Sequence, residues 1–443
     1  MPARWSEKHV RRLFWRAGFG ATPEEARRWA GAGRDATLRF VLSGRRGPDL
    51  VGPPPRVDGK PLDPLNEWGH DVLWWLDRMV RTQRPLVEKM TLFWHDHFAT
   101  SGQETPQMLA QNRMLRQRAL GGFRPLLEGV TRDPAMQLFL SLADSTKEAP
   151  NENYARELME LFTLGRGYTE RDVREAARAL TGFRARWTDD GFKGIWFDRT
   201  AHDRGVKRIL GKRGRFGWRD VLRIVTSNGH HPPFLVDKLW SYFVSVPIDA
   251  RTRRALVRRY RRSGLRIKPV VESILRHPAL YGDLDRPDMV KAPVVFLAGA
   301  IRTVGGGIQR DSWPWLLEMM GQYPFDPPSV AGWDWGPAWL STNTVHARFR
   351  AITYLMVDGG PLAVPDGAAP ERGGPPADAI ARARAATGDP WTSPETDAAL
   401  QRMAENWYAD FKPTQTWGWQ TRSDQRERAL RHLLMSGPDA QLH

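Results

Sequence analysis

Cysteine is absent from the chain of 443 residues. That excludes disulfides, thiolate nucleophiles, iron–sulfur clusters and cysteine-held zinc, so any metal would need His, Asp and Glu ligands. Long apolar runs are absent too: none approaches the roughly 18–20 residues of a membrane-spanning helix. The opening Met1-Pro-Ala-Arg-Trp-Ser-Glu-Lys-His9 has none of the ordered regions of a secretory leader, which predicts a cytoplasmic protein. Few segments alternate with period two, so a large sheet is not expected. Familiar catalytic signatures are missing, with no G-x-S-x-G and no H-E-x-x-H. Gly205 to Lys212 resembles a phosphate-binding loop, but five residues separate Gly205 from Gly211 where four are required, and Arg213 stands where Ser or Thr should be. Gly305-Gly-Gly307 is a turn.

Acidic residues are in deficit, with 50 against 66 Lys and Arg, for a formal charge of +16. Such a surplus attracts polyanions, which predicts an anionic ligand and leaves nucleic acid as a further partner. The ordinary alternative is a solvated arginine surface, and the run from Arg251 to Lys268 fits either description. Tryptophan is abundant, at 20 residues. Its ring stacks on bases and sugars but more commonly fills cores.

The apolar spacing is helical almost throughout. Val10, Leu13, Phe14 and Ala17 mark a helix over 6–17 with Ser6 as its cap. Gly18-Phe-Gly20 stops it, and Thr22-Pro-Glu-Glu25 starts the next. Further helices are expected at 67–83, 85–99, 107–119, 122–129, 151–164, 170–182, 218–227, 232–245, 250–263, 268–276, 288–303 and 342–356. Residues 183–217 carry Trp187, Trp196, Phe197 and Phe216 among glycines and charges and read as a long loop or a short hairpin. Residues 321–340 read as an ordered loop packed by aromatics. The expected fold is predominantly all-α, a multi-helix orthogonal bundle with long Trp-, Gly- and Pro-rich loops and little or no sheet. The expected organisation is a main domain over 1–357, a Gly/Pro/Ala-rich linker over 358–377 and a small helical appendage over 378–443.

Three segments carry chemistry. In Phe93-Trp-His95-Asp-His97-Phe98 the histidines suggest a metal pair. On a continuous helix, positions two apart diverge by about 200°, so they could share an ion only if the helix ends there. The alternative is a pair of satisfied core histidines. Pro150-Asn-Glu-Asn-Tyr-Ala-Arg-Glu-Leu-Met-Glu-Leu-Phe-Thr-Leu-Gly165 is the second segment. Glu152, Arg156 and Glu160 are spaced for an intrahelical ion-pair ladder. Asn153, Glu157 and Glu160 form a neighbouring stripe of the kind that metal and acid–base sites use on helical bundles, and Glu157 is its distinctive member. His202-Asp203, inside the aromatic loop, is the third: a ligand or proton-transfer pair if the loop folds over the carboxylate helix.

These pieces resemble a known bacterial family, the domain of unknown function 1800 family. The resemblance rests on His9-Val-Arg-Arg-Leu-Phe-Trp-Arg-Ala-Gly-Phe-Gly20 with Ala21-Thr-Pro23, on Lys89 to Phe98, on Arg132-Asp-Pro-Ala-Met136 and on Asn151 to Gly165. It continues through Tyr168 to Gly182, His202-Asp203 with Lys207 and Gly211, Lys238-Leu-Trp240 and Phe325-Asp-Pro-Pro-x-Val-x-Gly-Trp333. It covers residues 5 to about 355 in order and leaves the segment after 360 outside. It implies a largely helical domain and directs interest to His95, His97, Asn151, Glu152, Asn153, Arg156, Glu157 and His202-Asp203. It supplies no reaction. Members are often encoded beside a second uncharacterised family similar to exported sulfatases or phosphatases, which implies anionic or carbohydrate substrates and export; the opening residues here argue against export.

The leading expectation is a metal-dependent hydrolase acting on a phosphate, sulfate, ester or glycosidic bond. His95 or His97, Glu157, Glu160 and His202 would hold a divalent ion that activates water, with Asp203 completing the shell. Glu152 would orient the ligand or act as base, with Asn153 and Arg156 beside it. A metal-free glycosidase needs two opposed carboxylates, and Glu152 and Glu157, about 140° apart on one helix, would require Asp96 or Asp203 as partner. The alternatives are a non-enzymatic protein that binds a polyanion or polysaccharide, and a scaffold for a partner protein whose signature helices form a polar core.

Overall fold

The computed structural model describes residues 5–44, 48–356, 360–366, 368, 374–407 and 419–443, the side chains of 419–422 excepted. It is predominantly all-α, and the only sheets among the described residues are three two-stranded antiparallel ribbons. None of the described helices is long and apolar enough to cross a membrane. Contacts divide the chain into two compact units, one of residues 1–85, 281–324 and 334–443, the other of 86–280 and 325–333. The expected linker over 358–377 falls largely on positions outside the described residues.

In the first unit, Thr22 caps the Pro23–Ala32 helix as its sequence suggests: its side chain accepts from the Glu25 amide while the Glu25 carboxylate accepts from the Thr22 amide. Ser6 precedes the Glu7–Arg16 helix without capping it, because its hydroxyl bonds the His9 ring instead. The Pro293–Val304 helix is the apolar axis of this unit, buried from Pro293 to Ile301. Gly299 on it lies against the Trp15 ring, where a Cβ would come within 2.2 Å of the indole. The Pro376–Ala386, Pro394–Asn406 and Trp419–Ser436 helices share a small core of Ala379, Ala383, Leu400, Ala404, Leu430 and Leu434.

The second unit is centred on the Pro85–His97 helix, whose Trp94 is wholly buried and donates from its indole to the Ala119 carbonyl at 2.8 Å. Residues 183–197 form a hairpin of Phe183–Thr188 and Gly191–Phe197 across an Asp189-Asp190 turn, with a bulge between Arg186 and Trp187. The segment 325–333 belongs to this unit although 281–324 before it and 334–443 after it do not. Its Gly332 has φ +87° and leaves no room for a side chain: a Cβ would stand 2.3 Å from Asp96 Oδ1 and 2.8 Å from the Asp96 carbonyl. Gly332→Ala therefore combines left-handed strain with a backbone clash, and urea unfolding should show a loss of about 2 kcal/mol or more; an unchanged midpoint would contradict this packing.

Candidate functional site

The His95-Asp96-His97 tripeptide holds backbone. The Phe325 amide donates to His95 Nε2 at 3.0 Å, so the ring proton sits on Nδ1. The Trp333 amide donates to Asp96 Oδ1 at 2.9 Å. His97 Nε2 lies 3.1 Å from the Phe162 carbonyl, which can only accept, so Nε2 carries the proton and Nδ1 accepts from Lys238 Nζ at 3.3 Å. Both rings are buried. Burial alone pushes His95 down to about 3; burial, followed by the Lys238 charge, holds His97 well below the usual imidazole range. The metal pair expected of His95 and His97 does not form: both rings are neutral and their lone pairs are taken by N–H donors.

The signature helix explains why His97 is needed. Asn153–Glu157 is α-helical, but Leu158–Thr163 is π-helical, and the Leu164 amide reaches back five residues to the Met159 carbonyl. The wider turn presents carbonyls for side chains to satisfy. Lys238 Nζ donates to the Leu161 carbonyl at 3.3 Å, His97 to that of Phe162, and His231 Nδ1 to that of Thr163 at 3.1 Å. His231 Nε2 then accepts from the Tyr260 hydroxyl. Burial, opposed by its bond to Thr163, takes His231 down to about 4.

The same π turn breaks the expected ladder. Arg156 pairs with Glu152 at 3.2 Å as its spacing predicts, but its second partner is Glu170, at 2.7 Å. Glu160 is displaced by the extra residue in the turn and accepts from the Tyr168 hydroxyl at 3.0 Å. Asn153 and Glu160 are exposed, and Glu157 is half-buried. Burial, and then the Glu160 charge, raise the Glu157 carboxyl against the opposing pull of Arg156. Among the described residues no three His, Asp or Glu side chains gather as a metal site, so Glu157 and Glu160 are not brought into a metal-holding group with His95, His97 or His202.

Asp203 is a fastener. Its Oδ2 accepts from Arg178 Nε at 2.7 Å and its Oδ1 from the Gly205 amide, and the buried Lys207 ammonium lies 3.5 Å from that Oδ1. Burial pushes its carboxyl up, but Arg178, the Gly205 amide and Lys207 together bring it below the usual range. The Asp203 amide in turn donates to Thr181 Oγ1, whose own proton goes to the Arg178 carbonyl. His202 Nδ1 therefore donates to the Thr181 carbonyl at 2.9 Å, and its Nε2 keeps an unshared lone pair on the side of Gly217.

That lone pair lies in a cleft of about 620 Å³, walled by Trp196 and Phe197 of the hairpin and by Trp218 at the start of the Trp218–Ser227 helix. Arg132, Arg199 and Arg219 also line it and are exposed, with Arg219 stacked 4.3 Å over Trp218. Gln137, fully buried, also lines it: Nε2 donates to the Thr131 carbonyl at 2.7 Å, and Oε1 has no partner among the described residues. The signature helix braces this arrangement from behind. The Tyr154 hydroxyl bonds Thr131 Oγ1 at 2.7 Å, and the Thr131 carbonyl holds Gln137. Asp133, raised to about 6 by burial against its amide bonds, caps the short helix that carries Gln137 and accepts from Gln111. Sequence reading passed over Gln137 because a single buried glutamine carries no pattern. Arg132 stood in a quoted motif and Trp196 in the aromatic loop, which were the available signals.

Buried neutral histidines make stability depend on pH. The unfolded chain takes up protons below about 6.5 that folded His95, His97 and His231 refuse, so stability falls as pH drops below that value, by about 1.4 kcal/mol per pH unit per histidine. Asp133, raised in the folded state, opposes one of these between about pH 6 and 4. A net loss of roughly 2–3 kcal/mol per unit is expected near pH 5, to be read from denaturant unfolding; a flat profile would refute the neutral tautomers. Glu157→Gln removes a half-buried charge with no ion pair among the described residues, and its unfolding free energy should change by less than about 0.5 kcal/mol. A loss of several kcal/mol would instead place Glu157 in a buried network.

The chain matches no curated protein and no solved structure. One family model matches it, described as a protein of unknown function (DUF1800), over residues 12–442. The match runs on through the C-terminal helices, beyond the point near 355 where the quoted motifs end. With signature segments and nearly the whole length accounted for, the chain belongs to the DUF1800 family.

Proposed function

We propose that this protein recognises an anionic, hydroxyl-bearing ligand of the sugar-phosphate or sulfated-saccharide class in the cleft around His202. The observation that carries the reading is the trio of exposed arginines, Arg132, Arg199 and Arg219, on one cleft with the exposed Trp196. Arg132, Arg199 and Arg219 match phosphate or sulfate. Trp196, 52% exposed, offers a face for a sugar ring.

Hydrolysis of the bound ligand is the second reading, and His202 Nε2 favours it, since its lone pair can take a proton from water or a ligand hydroxyl. The divalent-ion form of that reading has less support. Asp220 is the other ligand-type side chain on the cleft, and it is engaged by the Gly217 amide and by Arg223.

Calorimetric titration with glucose 6-phosphate and with a heparin tetrasaccharide at low salt tests the proposal. Arg132→Ala with Arg219→Ala, both exposed positions, should weaken binding at least about tenfold, and added salt should weaken it further. His202→Gln should leave binding within a few-fold and remove any turnover. Absence of heat with both ligands, or unchanged binding by the arginine variant, would sink the reading.

A further inference from the structure

The first unit holds a second group that nothing above employs. Lys291 is 8% exposed, just before the Pro293–Val304 helix. Its ammonium donates to the Ala440 carbonyl at 2.7 Å and rests 4.1 Å over the Trp15 ring. No carboxylate lies within 4.0 Å of it among the described residues. The nearby cations do not compensate. Arg12 and Arg16 share Asp288, and the fully buried Arg348 donates to the carbonyl of Lys291 itself and to Gln441 Oε1. A buried ammonium with one carbonyl and one aromatic face is under-satisfied, because it has three donors and its charge has been taken out of water.

Lys291 lines a cavity of about 140 Å³. Its lining also includes the apolar side chains of Phe296, Leu284, Trp391 and Met435. Arg11 and Arg12 stand on the same cavity, and among its lining side chains the only carboxylate is Asp439, which accepts from the Ser393 amide. A cavity lined by both a buried cation and hydrocarbon suits a molecule that carries a negative charge on an apolar body. We infer that this cavity is a separate ligand site for a small organic monoanion, a carboxylate on a compact apolar body, with Lys291 pairing the carboxylate. The volume admits a molecule the size of benzoate or hexanoate, and the apolar lining disfavours inorganic phosphate, which would leave it unfilled.

Binding should carry a proton. Burial first, and then the Arg348 charge, take Lys291 down to about 7. A bound carboxylate stabilises the ammonium, so above about pH 7 each unit of pH should weaken binding by up to about tenfold. The other charged or titratable groups around it are Lys8, Arg11 and Arg12 on the first helix, Arg348 on the Thr342–Tyr354 helix, Asp288 before Lys291, and Asp439 and His443 beyond the last long helix. Lys291→Met separates its contribution from theirs and removes an unpaired buried charge, so this variant should fold.

The test is thermal unfolding of the whole chain, with Trp fluorescence as second readout, against benzoate and hexanoate up to about 10 mM, where even a weak site responds. Wild type should be stabilised at pH 6.5 and much less at pH 8.5, Lys291→Met should show no stabilisation at either pH, and Arg132→Ala with Arg219→Ala should respond as wild type. An equal response from Lys291→Met, a response independent of pH, or none from wild type with both acids would overturn the inference.

Discussion

Backbone groups far apart in sequence are satisfied by one tripeptide, and the second unit depends on that. His95 and Asp96 take the amides of Phe325 and Trp333, while His97 gives its proton to the Phe162 carbonyl. An unpaired buried amide or carbonyl is costly, so each of these side chains removes a penalty that no helix or ribbon nearby could remove. The segment 325–333 and the π turn at 158–163 are irregular backbone, and irregular backbone survives in a core only when side chains complete it.

Much of the helical framework was legible. The Thr22 capping box, the glycine stop at 18–20 and the apolar spacing from 218 to 276 all predict what is observed, because each follows from local backbone chemistry. The π turn was not legible. Its apolar residues Leu158, Leu161 and Phe162 fit an α-helical face well enough, and what makes the turn wider is supplied by Lys238 and His231, more than 60 residues downstream. The ladder through Glu160 failed for the same reason: a spacing rule holds only while the helical phase does.

The site was half legible. His202-Asp203 was visible as a pair, but its members divide the labour, Asp203 fastening the loop and His202 facing the cleft. The signature carboxylates drew attention because ionisable residues amid apolar ones mark chemistry or structure, and sequence cannot separate the two. Here Tyr154 of that segment bears on the cleft more directly than its charges do, through Thr131 and Gln137. A family signature can thus record the bracing of a site as strongly as the site.

The bond between the Phe325 amide and His95 spans 230 residues. A ribosome adding about 5–20 residues per second needs roughly 10–50 s between the two. The rest of the second unit, through Leu280, is made about 45 residues, roughly 2–9 s, before that strip, and until the strip follows the His95 imidazole lacks the Phe325 amide and Asp96 lacks the Trp333 amide. The nascent unit is therefore incomplete until residues 325–333 are made. Completion of the second unit therefore waits on a strip of chain made well after the residues it joins.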